Sequence, residues 1–151
     1  MKTCLSFVLL LICLQGLCQN NNNNSKNYSA VPLVRDDSTF LALKDTAQAH
    51  LQTFLDSLKI HGRDTLNYQF SVKSDFVEND IHEHMWSLIL SYDNSDFKGF
   101  FIDSAFDIKN IKTWDKVVIH KMDIEDWSMY NKRTGKTIGY YSEMLLNKKE
   151  D

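Results

Sequence analysis

Residues 38–73 read STFLALKDTAQAHLQTFLDSLKIHGRDTLNYQFSVK, and the hydrophobic period changes once within them. Phe40, Leu43, Ala47, Leu51, Phe54, Leu55 and Leu58 recur every three or four residues, with Lys44, Asp45, Gln48, Gln52 and Asp56 around the rest of the barrel. That spacing predicts one amphipathic helix. Asp37 or Ser38 supplies a short oxygen-bearing side chain to accept a free backbone N–H at its start, and Gly62 supplies its stop. The stripe could serve a membrane surface or a partner, but such a stripe is read first as packing on its own domain's sheet. Beyond Gly62 the period falls to two: Tyr68, Phe70 and Val72 alternate with Gln69, Ser71 and Lys73, as on a half-buried strand.

The same alternation continues. Trp86, Leu88, Leu90 and Tyr92 alternate with Ser87, Ile89 and Ser91, and Asp93-Asn94-Ser95-Asp96 has turn chemistry. Phe97–Ile102 is a further strand with Gly99 inside it, followed by strands at Lys116–Met122, Glu125–Tyr130 and Thr137–Ser142. Asn131–Gly135 makes the last hairpin loop. One amphipathic helix followed by antiparallel strands predicts an α+β fold. The helix lies across a curled antiparallel sheet, or a small open barrel, of about five to six strands.

The N-terminus has a different character. Met1-Lys2-Thr3 is a short positive segment and Leu5–Leu14 an apolar run. Gly16 and Cys18 stand at −3 and −1 for cleavage before Gln19, so residues 1–18 are expected to be a secretory signal peptide and the protein secreted or periplasmic. The run is about half the roughly 20 residues that a membrane-spanning helix needs. An alternative keeps Cys18 as a lipidated anchor. Gln19 and the five asparagines Asn20–Asn24 open a polar tether over residues 19–35, too poor in apolar side chains to fold. The folded domain is expected over residues 36–148.

Composition narrows the chemistry. The 151 residues carry 17 Lys and Arg against 20 Asp and Glu, a formal charge of −3. This mild acidity argues against sequence-independent nucleic-acid binding. The three cysteines, Cys4, Cys13 and Cys18, all lie in the signal segment. A mature chain without thiols has no disulfide scaffold, thiol nucleophile or cysteine-ligated zinc. There is no G-x-S-x-G elbow and no Gly-rich phosphate loop.

The densest polar cluster is Glu78-Asn79-Asp80-Ile81-His82-Glu83-His84. His82 and His84 would share a strand face and, with Glu78 or Asp80, could hold a metal, but the spacing is not that of H-E-x-x-H. The cluster therefore reads first as a polar turn from which His84 enters the sheet. No cofactor is expected. Acid–base catalysis would draw on Glu83, His84 and Asp126, and nothing in the sequence brings Asp126 near the other two.

Phe70-Ser71-Val72-Lys73, Glu83-His84-Met85-Trp86, Phe97-Lys98-Gly99 and Ile124-Glu125-Asp126-Trp127 resemble, in order and spacing, the F-x-V-K, E-H-M-W, F-x-G and I-x-D-W blocks of the bacterial DUF2314, or YegJ-like, family. The resemblance covers roughly residues 45–146. Two steps depart from it: Asp103-Ser104-Ala105 stands where the family usually has N-x-P, and Trp114-Asp115 where it usually has Gly-Asp. The family brings no established activity. Its members look like small, often exported domains, sometimes set among toxin and immunity systems, which implies a binding role. The matching blocks point to Glu83, His84, Trp86, Asp126 and Trp127 as candidate binding residues. The expectation is an exported, non-enzymatic module for a protein or cell-envelope partner. The alternative is a metal-dependent or acid/base hydrolase built on His82, Glu83, His84 and Asp126.

Overall fold

The computed structural model describes residues 38–143. The signal segment, Cys18 and the tether lie outside them. Two helices, α1 (Ser38–Ala49) and α2 (Leu51–His61), precede six strands: β1 (Tyr68–Glu78), β2 (Ile81–Tyr92), β3 (Asp96–Phe101), β4 (Lys116–His120), β5 (Ile124–Asn131) and β6 (Lys136–Gly139). The strands form one antiparallel sheet in the order β4-β3-β2-β1-β5-β6, and the sheet is not closed.

The single predicted helix is interrupted at His50, where φ −102° and ψ 5° leave helical geometry. His50 Nδ1 lies 2.8 Å from the Thr46 carbonyl, which also accepts the His50 backbone N–H at 3.2 Å. The apolar stripe survives the break, because Ala47, Leu51, Phe54 and Leu58 are all buried. Phe54 packs against Phe70, Phe97 and Trp127, so α2 covers one face of the sheet. From α1, the Gln48 side-chain amide donates to the Ile124 carbonyl at 2.6 Å, and the Ala47 carbonyl accepts the Trp127 indole N–H at 2.8 Å. These two bonds fasten α1 to β5.

The polar cluster at residues 78–84 is mostly strand. Only Asn79 and Asp80 turn, both at positive φ (50° and 65°), and Glu78 pairs with Ile81 directly across them. Two left-handed residues are what a tight hairpin needs to match the twist of its strands. β4 stops at His120, one residue before a single 3₁₀ turn at Lys121–Asp123. β6 ends at Gly139; the Tyr140 N–H still donates to the Trp127 carbonyl of β5 at 2.7 Å, and Tyr141 and Ser142 are held to β5 by the side-chain bonds described below. No helix among the described residues is long and apolar enough to cross a membrane.

Candidate functional site

β1 lies between β2 and β5. On its β2 side Asp75 pairs with His84, and on its β5 side Lys73 pairs with Asp126 while Ser74 pairs with Ile124. Glu125 is therefore the extra residue of a β-bulge. The bulge breaks alternation, so that Ile124, Glu125, Asp126 and Trp127 are all buried. From this position the Glu125 carboxylate crosses β1 to reach His84, with Oε2 2.6 Å from Nδ1. Lys44 Nζ on α1 approaches Oε1 at 3.9 Å. The Phe40 ring lies edge-on to the His84 imidazole, with centroids 5.5 Å apart.

These groups line an open pocket of about 260 Å³ between α1, the β1–β2 hairpin and the start of β5. Asp75 also lines it, and its Oδ2 pairs with His82 Nδ1 at 2.7 Å. His82 and His84 thus engage two different carboxylates. A His held at Nδ1 by a buried carboxylate has its ring orientation set, leaving Nε2 to meet a ligand. Among the described residues no three His, Cys, Asp or Glu side chains converge as a metal site.

The other candidates are occupied. Glu83 accepts backbone N–H groups from Phe106 at 2.8 Å, from Ile108 at 2.7 Å and from Asp107, clasping the β3–β4 loop to the hairpin. Burial pushes its carboxyl pKa up. The bonds from Ile108, Phe106 and Asp107, with the charge of Lys109, outweigh that and hold it below the ordinary 4.5. Glu78 binds the same loop through the Lys109 N–H at 3.1 Å and the Asn110 side chain. Asp103 returns the clasp by accepting the Trp86 N–H at 2.7 Å.

Asp126 is 1 % exposed and accepts three backbone N–H groups: Trp127 (2.7 Å) and Tyr141 (3.1 Å) on Oδ1, and Ser142 (2.7 Å) on Oδ2. Burial and the Asp126 charge raise the Tyr141 phenol above its ordinary 10.0. Trp127 is a core side chain at 1 % exposure. Trp86, on the face away from Trp127, lies 5.3 Å from the Tyr140 ring and beneath the Lys73 ammonium at 5.9 Å.

Of the five residues singled out in the sequence, only His84 lines the pocket, joined there by Glu125, Lys44 and Asp75. Glu125 carried no sequence signal, because it occupies the variable position of I-x-D-W and only the bulge turns it toward His84.

The fold is a helix pair on an open antiparallel sheet, with a His–carboxylate pair in a pocket at one end. The chain belongs to the DUF2314 family, described as uncharacterized protein conserved in bacteria, which matches residues 37–149. No curated protein and no solved structure matches the chain.

Proposed function

We propose that this chain is an exported, non-enzymatic binding domain for a protein or cell-envelope partner, and that the pocket at His84 and Glu125 is its contact site. The observation that carries this reading is the half-open pocket itself, where a buried carboxylate and an oriented imidazole meet the apolar ring of Phe40. Ligand sites combine such an apolar wall with a few convergent polar groups. Glu83 and Asp126 support it too, because each accepts three backbone N–H groups. The signal-like pattern of residues 1–18 in the sequence supports the exported part of this reading.

The test is affinity capture from envelope extract with the mature protein, beside a His84→Ala variant whose unfolding midpoint is measured in parallel. A partner retained by the wild type and lost by the folded variant is the expected result. Equal retention by both would remove the pocket from the reading. N-terminal sequencing of the extracellular or periplasmic protein is expected to begin at Gln19.

A second reading rests on the 2.6 Å His84–Glu125 contact. In an acid/base hydrolase His84 would be the base and Glu125 its orienting group, in place of Glu83 or Asp126. It predicts hydrolysis of activated esters that is abolished by His84→Ala and only reduced by Glu125→Gln.

A further inference from the structure

Among the described residues Lys73 is the only buried lysine, at 8 % exposure. It sits on β1, paired with Trp86 of β2 and Asp126 of β5. The ion pairs among the described residues, Lys44 and His84 with Glu125, His82 with Asp75 and Lys98 with Asp93, leave it out. The Asp126 carboxylate is occupied by the backbone N–H groups of Trp127, Tyr141 and Ser142. The Trp86 ring, 5.9 Å from Lys73 Nζ, attracts the charge but offers its N–H groups no acceptor oxygen. The side-chain atoms sealed from solvent without a partner are Ser74 Oγ, Asp75 Oδ1, Ser87 Oγ and Ser142 Oγ. Lys73 Nζ is not one of them: the stem is buried and the tip reaches the surface. A stem fixed in advance spares the rotamer entropy that a surface lysine loses on meeting an anion.

The chain folds back to bring a second ring here. Gly139 and Tyr140 take φ +83° and +67°, and the Tyr140 ring lies 5.3 Å from that of Trp86 at an interplanar angle of 46°. A tyrosine held at positive φ is strained, and only the contacts around it keep it there. We propose that Lys73, with Trp86 and Tyr140 beside it, is a recognition site for a carboxylate carried on a planar or apolar framework, as at the chain terminus of a partner protein or on a free aromatic acid. The carboxylate accepts from Lys73 Nζ, and the framework lies on the two rings. The buried Asp126 charge beside Lys73 selects a singly charged anion over a doubly charged one such as a phosphate monoester. Lys73 does not line the pocket at His84, so the two sites stand or fall separately.

The experiment is a chemical-shift titration of the mature protein with benzoate, benzyl alcohol and phenyl phosphate in turn, reading backbone amides and indole N–H groups. The expected result is saturable shifts at Lys73, Trp86 and Tyr140 with benzoate, weaker ones with phenyl phosphate and none with benzyl alcohol. Lys73→Met weakens benzoate binding about tenfold and Lys73→Arg restores most of it, as loss and return of one charge-assisted hydrogen bond do. Urea midpoints show whether each variant folds. If Lys73→Met does not, Trp86→Leu carries the test, with benzoate binding weakened about threefold. N-acetylphenylalanine that binds tighter than benzoate, and loses binding as its amide, assigns the source to a chain terminus. Benzoate binding the tighter of the two assigns it to a free aromatic acid. Benzyl alcohol binding as tightly as benzoate, or benzoate binding unchanged in folded Lys73→Met, overturns the proposal. Shifts centred on His84 and abolished by Lys44→Met place the anion in the pocket and overturn it as well. So does the absence of saturable shifts with every probe.

Discussion

The Asp126 carboxylate accepts the backbone N–H of Ser142 at 2.7 Å, tying β5 to the chain beyond β6. Its other oxygen takes the N–H groups of Tyr141 and Trp127. Where the β5–β6 ladder runs out, one side chain stands in for the missing strand partners. Asp126 is thereby structural, although its motif drew attention to it as a site residue.

Asp126→Ala strands two buried N–H groups and the part-buried one of Tyr141, and is expected to lower stability by about 3 kcal/mol. Asp126→Asn keeps one acceptor oxygen and loses less. Urea unfolding of the two variants checks the order. Unchanged midpoints with lost partner binding would return Asp126 to the site.

Trp127 fills the core and donates its indole N–H to Ala47. Trp127→Ala is expected to cost about 4 kcal/mol, and Trp127→Phe roughly half that, through a smaller void and a bare carbonyl. Any binding lost by Trp127→Ala therefore accompanies lost structure, visible by near-ultraviolet circular dichroism.

The Glu83 clasp carries a pH dependence. Its pKa lies below 4.5 in the folded chain, so its contribution is complete above the unfolded value and is lost as pH falls through the folded one. Wild-type stability is expected to fall with acid in the region below 4.5 more steeply than that of Glu83→Gln. Denaturant midpoints measured from neutral pH down through the acid region below 4.5 compare the two.

Two backbone positions give changes of opposite sign. A Cβ at Gly139 would lie 2.3 Å from the Trp127 carbonyl oxygen and 2.5 Å from its ring, at φ +83°. Gly139→Ala is expected to cost about 2 kcal/mol or more. Trp114, 65 % exposed, holds φ +74° where the resemblance leads one to expect glycine. Trp114→Gly removes that strain, at some cost in unfolded-chain entropy, and is expected to raise stability by about 0.5 kcal/mol. Thermal unfolding of both variants reads the two signs.

Much of this architecture is legible in the residues. The stripe from Phe40 to Leu58 and the alternations at Tyr68–Lys73 and Trp86–Tyr92 each meet a helix or a strand. The break at His50 was not legible, because it depends on a ring bonding a carbonyl one turn back rather than on a breaker residue. The length of the β1–β2 hairpin was hidden as well. Ser74, Asp75, His82 and Glu83 are too polar to mark a strand, and they are tolerated in one because His82 meets Asp75 and Glu83 meets the loop backbone. His84 was visible as a candidate, but its partner was not.

The sequence by itself determined the α+β class and the family, because hydrophobic period and motif spacing are properties of neighbouring residues along the chain. Only the tertiary structure decided which carboxylate serves which purpose. Glu125 and Asp126 are adjacent and chemically alike, yet the bulge against Ser74 sends one to His84 in a pocket and the other to the backbone of Tyr141 and Ser142. A bulge arises from the register between two strands distant in sequence, and no local pattern records it.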